Sequence, residues 1–138
     1  MHLAEGLRAA SVDLRLAIVS DRPTTRAVLH LEDGQARYSF HDENSAGRML
    51  TPADMPQALP ADVAALFFGG ISLACEPCGL AYAALLARCV GDRVVMLDPN
   101  IRPGFIADET RYRTRLAQMM ARADIVKLSE SSLATPRQ

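Results

Sequence analysis

Three short apolar runs in the second half of the chain predict the strands of a parallel sheet. The runs are 63–68, 94–97 and 125–128. They are evenly spaced, and the spacing of roughly 30 residues is the length of a βαβ unit. The run over 94–97 is apolar at every position, which is typical of a strand buried on both faces. Helical patterns over 76–90 and 109–122 lie between the runs, so an α/β fold with a right-handed parallel βαβαβ core is predicted over 63–130.

A β-hairpin is predicted in the first half of the chain. Residues 25–31 and 36–40 are rich in strand-forming residues, and Asp33-Gly34 between them is typical of a two-residue hairpin loop. That loop pairs Glu32 with Gln35 and sets the register of the strands. One face of the hairpin is then apolar and aromatic, and consists of Ala27, Leu29, Leu31, Ala36, Tyr38 and Phe40. We expect this face to be covered by a sheet, a partner subunit or a ligand.

Weaker patterns precede and follow the hairpin. Residues 3–10 predict a short helix, and residues 14–19 predict a strand that ends before Asp21-Arg22-Pro23. Residues 41–59 are rich in charge, Pro and Asn and predict a loop. Within it, Thr51-Pro52-Ala53-Asp54 resembles the capped start of a short helix.

Composition indicates a folded protein without a marked charge bias. The chain has 138 residues, is 49% hydrophobic and has a formal net charge of -1, which excludes a disordered tail and gives no general attraction to nucleic acid. The apolar run over 63–75 is too short to span a bilayer. The first residues have neither a basic region nor an apolar one of the signal-peptide type. We therefore expect a cytoplasmic protein that binds neither nucleic acid nor membrane.

Polar residues follow each of the three predicted strands. They are Gly69, Gly70 and Ser72; Asp98, Asn100 and Arg102; and Lys127, Ser129 and Glu130. Because the carboxyl ends of parallel strands share one edge of a sheet, these side chains predict a small-molecule site there. The guanidinium of Arg102 could clamp a phosphate, a carboxylate or a sugar hydroxyl. The alternative is an ordinary polar loop.

Two further motifs suggest other chemistry. Cys75-Glu76-Pro77-Cys78 follows a predicted strand and begins a predicted helix, as a thioredoxin-like redox pair does, where the helix N-terminus lowers a thiol pKa. The alternative is that both cysteines pack as small apolar groups. His41 lies beside Asp42 and Glu43, but no second His has ligand spacing, so no metal site is expected there.

Three segments resemble the middle of a ribokinase-like (PfkB) carbohydrate kinase, in particular the fructokinases and the similar 2-keto-3-deoxygluconate kinases. The segments are Phe68-Gly69-Gly70-Ile71-Ser72-Leu73, Leu97-Asp98-Pro99-Asn100-Ile101-Arg102-Pro103 and Asp124-Ile125-Val126-Lys127-Leu128-Ser129-Glu130. Asp-Pro-Asn-x-Arg-Pro is the most specific of them. The resemblance implies a ribokinase-like α/β domain in which the hairpin, residues 24–41, forms a lid over the sugar and could pair two subunits into a homodimer.

The resemblance also implies roles for individual residues. Phe40, Asp42 and Arg102 match positions that contact the sugar substrate. Asn100, Lys127, Ser129 and Glu130 match positions near the phosphates of ATP and its Mg²⁺. The reaction implied is transfer of a phosphoryl group from ATP to a hydroxymethyl group of a keto-sugar.

The sequence departs from the family in ways that affect activity. In the family, an N-terminal strand with a Gly-Gly sugar-binding motif would precede residue 1, and a Gly-Ala-Gly-Asp motif, which carries the catalytic base, would follow residue 138. Neither motif is present at the corresponding place in these 138 residues. Residues 1–138 therefore match a central portion of the kinase domain, and none of them is assigned a catalytic role. The first interpretation is therefore a sugar kinase by resemblance, of which we expect this chain to be inactive alone. The alternative is a non-catalytic fragment that at most binds a sugar or a partner.

Overall fold

The computed structural model describes residues 3–32, 35–89, 91 and 93–128. The helices are α1 (Leu3–Ala9), α2 (Cys78–Cys89) and α3 (Glu109–Met120). The strands are β1 (Arg26–Glu32), β2 (Gln35–His41), β3 (Ala65–Gly69), β4 (Val94–Asp98) and β5 (Ile125–Val126). Short 3₁₀ turns follow β3 and β4, at Gly70–Leu73 and Pro103–Phe105. In the described part of the chain, no helix is long and apolar enough to cross a membrane.

β1 and β2 form the predicted antiparallel hairpin. Glu32 pairs with Gln35, Leu29 with Tyr38, and Ala27 with Phe40, which confirms the predicted register. The Asp33-Gly34 turn itself lies outside the described residues. The side chain of Leu31 is 74% exposed, so the apolar face of the hairpin is open at its tip.

β3, β4 and β5 form a parallel sheet in that order, as the apolar runs predict. Both long helices pack on one face of this sheet and enclose its core. The fully buried members of that core are Phe68, Leu73, Leu86, Val95, Leu97 and Met119. The apolar stripe of α3 lies against the sheet as predicted, because Tyr112 and Met119 are buried.

The opposite face of the sheet is open, which contradicts the prediction that β4 is buried on both faces. Val95 and Leu97 are buried, whereas Val94 is exposed and Met96 is only partly covered. Next to them, Phe67 is 65% exposed and Ile125 is also exposed. An apolar strand indicates that both faces suit a nonpolar environment, but it does not indicate whether a second layer is present.

The start of β5 is fixed to β4 by Asp124. The backbone N–H of Asp124 donates to the Val95 carbonyl at 2.8 Å, and the Val95 N–H donates to Asp124 Oδ2 at 2.7 Å. A further bond joins the Lys127 N–H to the Leu97 carbonyl at 2.9 Å. These bonds place the short β5 in register with β4, although it ends at Val126 and not at the predicted residue 128.

Two local predictions are wrong. Residues 14–19 form no strand and instead contain a turn, in which the Ala17 N–H donates to the Leu14 carbonyl at 2.9 Å. Residues 51–54 form a single turn, in which the Asp54 N–H donates to the Thr51 carbonyl at 3.0 Å, and no helix follows. Asp54 Oδ2 accepts from the N–H and the hydroxyl of Thr51 at 2.7 Å, as in a capped helix start. In both cases the residue types suit the predicted element. The strand predicted at 14–19 has no partner strand among the residues that the structure describes, and the turn at 51–54 is not followed by a helix.

Candidate functional site

The end of the hairpin and the segment after β4 enclose a cavity of about 650 Å³. We call it the hairpin cavity. Side chains of both charge signs line it together with two aromatic rings, and they include Arg26, Phe40, His41, Asp42, Arg48 and Phe105. Such a mixture of rings and hydrogen-bonding groups suits a small polar molecule with an apolar ring face.

Phe40 and Phe105 form one wall of the hairpin cavity. Their ring centroids lie 5.2 Å apart at an interplanar angle of 74°, which is the preferred edge-to-face arrangement. Phe105 closes the 3₁₀ turn Pro103–Phe105, and its N–H donates to the Arg102 carbonyl at 3.0 Å. The prolines and this turn therefore direct the chain after β4 towards the hairpin.

Asp42 lies at the floor of the hairpin cavity and is only 7% exposed. Its Oδ1 accepts a hydrogen bond from Arg48 Nη1 at 2.9 Å. Its Oδ2 accepts a weaker one from Cys75 Sγ at 3.5 Å. A buried carboxylate needs such partners, because removing its charge from water is costly. The sequence predicts Asp42 as a site residue, and the structure places it in the cavity with Phe40.

Residues after the parallel strands meet at one edge of the sheet, as predicted. Lys127 Nζ contacts Asp98 Oδ2 at 2.7 Å across the ends of β4 and β5. Asn100 has a φ of 42°, in the left-handed region that Asn adopts more readily than most residues. Arg102 is exposed and precedes the turn that contributes Phe105. Ser129 and Glu130 lie outside the described residues.

This edge suits phosphate groups better than it suits a protein-held metal ion. The ammonium of Lys127 and the amide of Asn100 are donors that fit phosphate oxygens. Among the described residues, no group of three or more His, Cys, Asp and Glu could hold a metal ion. A magnesium ion at this edge would rely on nucleotide phosphates and water for most of its ligands, as Mg²⁺ commonly does.

The cysteine pair lacks the property that a redox pair needs. Burial raises the pKa of the Cys75 thiol to about 12, and the nearby Asp42 carboxylate raises it further. Burial likewise raises the pKa of the Cys78 thiol to about 11. Cys78 Sγ donates to the Ser72 carbonyl at 3.2 Å. Both thiols are buried and pack as small apolar groups, and the raised pKa values argue against the thioredoxin-like alternative.

Arg115 is a buried cation that the sequence pattern does not reveal. Its side chain is 5% exposed, whereas Arg111 and Arg113 on the same helix are exposed. Nη2 donates to the Leu73 carbonyl at 2.8 Å, and Nη1 pairs with the Glu76 carboxylate. Arg115 therefore fixes the segment between β3 and α2 to α3.

Phe105 and Arg48 are among the cavity residues that the sequence analysis missed, and of these two only Phe105 had a signal. Phe105 lies directly after Arg102-Pro103-Gly104. The sequence therefore indicates that Phe105 lies near the edge of the sheet where the parallel strands end. Arg48 lies in the long loop after the hairpin, where no periodicity relates it to Asp42. The contact between them depends on the path of the loop.

Comparisons with known proteins agree with this architecture. Fructokinase from Rhizobium leguminosarum bv. trifolii is 50% identical to the chain over 131 residues, which are 95% of this chain and 40% of that protein. The structure is similar to that of fructokinase from Vibrio cholerae O395 in a fructose-, ADP- and calcium-bound form, with a TM-score of 0.72, 24% identity, and coverage of 95% of this chain and 43% of that chain.

It is also similar to a sugar kinase from Pyrococcus horikoshii in complex with ATP, with a TM-score of 0.76, 22% identity, and coverage of 94% of this chain and 43% of that one. The chain thus spans less than half the length of each of these relatives. No protein-family model matches it.

Proposed function

Because this chain is a fructokinase homologue with the ribokinase-like sugar-kinase fold, we propose that it forms the sugar-binding portion of an ATP-dependent carbohydrate kinase. The substrate is a keto-sugar such as fructose, and the acceptor is a hydroxymethyl oxygen of that sugar. The observation that supports the proposal is the hairpin cavity, which both Phe40 and Asp42 line.

The hairpin cavity suits a neutral sugar. The Phe40 ring offers an apolar surface to the C–H face of the sugar, while the Asp42 carboxylate can accept a hydrogen bond from a hydroxyl. Since Arg48 already pairs with Asp42, a neutral ligand does not need to supply a charge that balances this carboxylate. Arg102, at the exposed start of the following turn, completes the sugar contacts in this proposal.

We assign the nucleotide to the edge of the sheet. Asn100 and Lys127 bind the phosphates of ATP, and Ser129 and Glu130 lie near those phosphates and their Mg²⁺ in this proposal. ATP supplies the phosphoryl group: a bond forms from the hydroxymethyl oxygen to the γ-phosphorus, the bond to the β-phosphate oxygen breaks, and ADP leaves. The positive charge of Lys127 offsets charge on the phosphates, and the hairpin excludes water from the sugar.

The same reaction also needs a base for the hydroxyl proton, and the 138 residues offer no clear candidate. Asp98 lies at the edge of the sheet, but Lys127 holds its carboxylate at 2.7 Å. We therefore propose that this polypeptide alone binds sugar without transferring phosphate. The second candidate is a partner-binding role of the open hairpin face, which the exposure of Leu29 and Leu31 favours.

Titration calorimetry of the purified chain tests the proposal with fructose, 2-keto-3-deoxygluconate and ribose. We expect saturable binding of fructose, weakened about tenfold or more by Asp42→Asn, because a hydrogen bond to a charged group contributes roughly 1.5–3 kcal/mol. Asp62→Asn is the matched control, since Asp62 is an exposed carboxylate that also pairs with an arginine, Arg15. Absence of saturable binding for every sugar would contradict the proposal.

An ATP-consumption assay with the same three sugars tests the second part. We expect no turnover above that of the Arg102→Ala variant. Sustained turnover that depends on both fructose and Arg102 would show that this chain is a complete catalyst.

A further inference from the structure

We infer that Arg48 is a positioning residue for the sugar site: it sets the orientation in which Asp42 meets the substrate. This inference rests on the proposed function, because it concerns the cavity that would hold the sugar. Arg48 Nη1 donates to Asp42 Oδ1 at 2.9 Å, and both side chains line the hairpin cavity. Nothing in the sequence pattern relates these two loop residues, so the pair is a product of the fold.

The pair leaves Asp42 capable of binding a ligand. A carboxylate has about four acceptor positions on its two oxygens. Arg48 occupies one position on Oδ1, and the weak thiol donor of Cys75 occupies one on Oδ2. No other donor among the described residues bonds to this side chain, so the remaining positions are available to sugar hydroxyls. Arg48 thus offsets the cost of burying the charge and fixes the direction in which the free positions point.

Arg48 is itself held by bonds from three directions. Its backbone N–H donates to Ser45 Oγ at 3.3 Å, and its carbonyl accepts from the Cys78 N–H at 3.2 Å. Its Nε donates to the Glu76 carbonyl at 3.4 Å. Ser45 is fully buried and accepts from Thr25 Oγ1 at 2.9 Å, at the base of the hairpin. These bonds join the hairpin, the loop and the start of α2 around one guanidinium.

The acceptor of Arg48 Nε is anchored in turn by α3. Arg115 binds the Leu73 carbonyl and the Glu76 carboxylate, at the two ends of the segment that precedes α2. This buried cation therefore fixes the backbone on which Arg48 rests. The result is a continuous series of polar contacts from α3 through Glu76 and Arg48 to Asp42.

A positioning role and a merely structural role predict different effects on specificity. If Arg48 only stabilises the fold, its loss lowers the affinity for all sugars alike. If Arg48 orients Asp42, its loss lowers the affinity most for the sugar whose hydroxyls match that orientation. The useful readout is therefore the ratio of the dissociation constants for D-fructose and D-tagatose, its C-4 epimer, since both sugars are neutral and equal in size.

The experiment compares Arg48→Met and Arg48→Lys with the unaltered chain by titration calorimetry. We expect Arg48→Met to raise the Kd for fructose about tenfold or more and to bring the ratio for the two sugars close to one. Arg48→Lys keeps the charge but lacks the second donor towards Glu76, so it should recover only part of the discrimination. Arg113→Met is the matched control, because Arg113 is exposed on α3 and pairs with Glu109.

The outcomes separate this inference from the proposed function. If the unaltered chain binds no sugar, the proposed function fails and the inference fails with it. If the unaltered chain binds fructose and Arg48→Met keeps both the affinity and the ratio, only the inference is wrong. An equal loss of affinity for both sugars would also overturn it. If Arg48→Met does not fold by circular dichroism, Arg48→Lys decides: reduced discrimination supports positioning, and unchanged discrimination contradicts it.

Discussion

The ring of Phe40 on β2 meets the ring of Phe105 edge to face, with 5.2 Å between their centroids. This pair joins the hairpin to the segment that follows β4, across the cavity that contains Asp42. The two rings come from parts of the chain that are far apart in sequence. Their contact therefore depends on the packing of the hairpin against the segment that follows the parallel strand β4.

Loss of this ring pair should loosen the hairpin. An edge-to-face pair contributes about 1 kcal/mol beyond buried area, so we expect Phe105→Ala to speed amide hydrogen exchange in β1 and β2 roughly fivefold. Phe67→Ala is the control, because Phe67 lies on the open face of the parallel sheet. Equal rates of hairpin amide exchange in the unaltered chain, Phe105→Ala and Phe67→Ala would show that the ring pair does not hold the hairpin in place.

Arg102→Ala should weaken sugar binding without altering the fold. The expected rise in the Kd for fructose is about tenfold, since a charge-assisted hydrogen bond contributes roughly 1.5–3 kcal/mol. Arg102 is exposed, so its removal should leave the urea midpoint unchanged. Arg113→Ala serves as the control for loss of an exposed guanidinium. An unchanged Kd would make Arg102 an ordinary surface residue.

The open hairpin face should cause self-association. Leu29 is 51% exposed and Leu31 more so, and an exposed apolar strand tends to pair with another chain. Light scattering over a concentration series should show growth from monomer to dimer, and Leu29→Ser with Leu31→Ser should abolish it. Phe67→Ser tests the other open surface. Monomers at every concentration would argue against a homodimer formed through the hairpin.

The two buried thiols should make the fold sensitive to alkaline pH. Unfolded cysteines ionise with a pKa of about 8.5, whereas burial raises the pKa of Cys75 to about 12 and that of Cys78 to about 11. The unfolded chain therefore binds fewer protons above pH ~8.5, and the free energy of unfolding falls as pH rises from there towards the folded values. The stabilisation by the neutral thiols is fully present below pH ~8.5.

Urea unfolding at pH 7, 8 and 10 tests this pH dependence. We expect the free energy of unfolding to change little between pH 7 and pH 8. Above pH ~8.5 it should fall by about 1.4 kcal/mol per pH unit for each thiol. The Cys75→Ala, Cys78→Ala double variant should show a smaller loss, and the difference between the two proteins removes the contribution of the tyrosines and of Lys127. A parallel decline in both proteins would mean that the thiols ionise freely in the folded state.

Gly79→Ala should destabilise the protein although alanine favours helices. A Cβ at Gly79 would lie 2.6 Å from Nη2 of the buried Arg115. The gain in helix propensity is about 1 kcal/mol, while displacing a buried guanidinium from its charged partners costs roughly 1.5–3 kcal/mol or more. We expect a net loss seen by thermal unfolding. Gly47→Ala, where nothing lies within 4 Å of the added Cβ, should change the midpoint little, and equal midpoints for the two variants would contradict the clash.

Local sequence patterns predicted a strand correctly where the pattern also determines which segment that strand pairs with. The Asp-Gly loop sets the strand pairing of the hairpin, because a two-residue turn admits one register. The even spacing of apolar runs likewise predicted the parallel βαβαβ arrangement of β3, β4 and β5. In contrast, residues 14–19 have the composition of a strand but form none, since composition does not supply a partner.

The candidate site was predicted only in part, because some of its contacts depend on packing between segments that are distant in sequence. Phe40 and Asp42 were found through resemblance, and the structure places both in the hairpin cavity. Arg48 and Arg115 were missed because their contacts depend on how loops and helices approach one another. An arginine on the buried side of a helix violates the amphipathic pattern, and only its acceptors at Leu73 and Glu76 make it stable there.

The reciprocal bonds between Asp124 and Val95 determine where insertions would be tolerated. Residues added in the connection between α3 and Asp124 lengthen a surface loop, and each doubling of a flexible loop costs only about 0.6 kcal/mol. A single residue added between Asp124 and Ile125 leaves those bonds in place but shifts β5 by one position, which turns Val126 to the opposite face of the sheet. It also displaces Lys127 from Asp98. Length variation among homologues should therefore accumulate before Asp124 and stop at it.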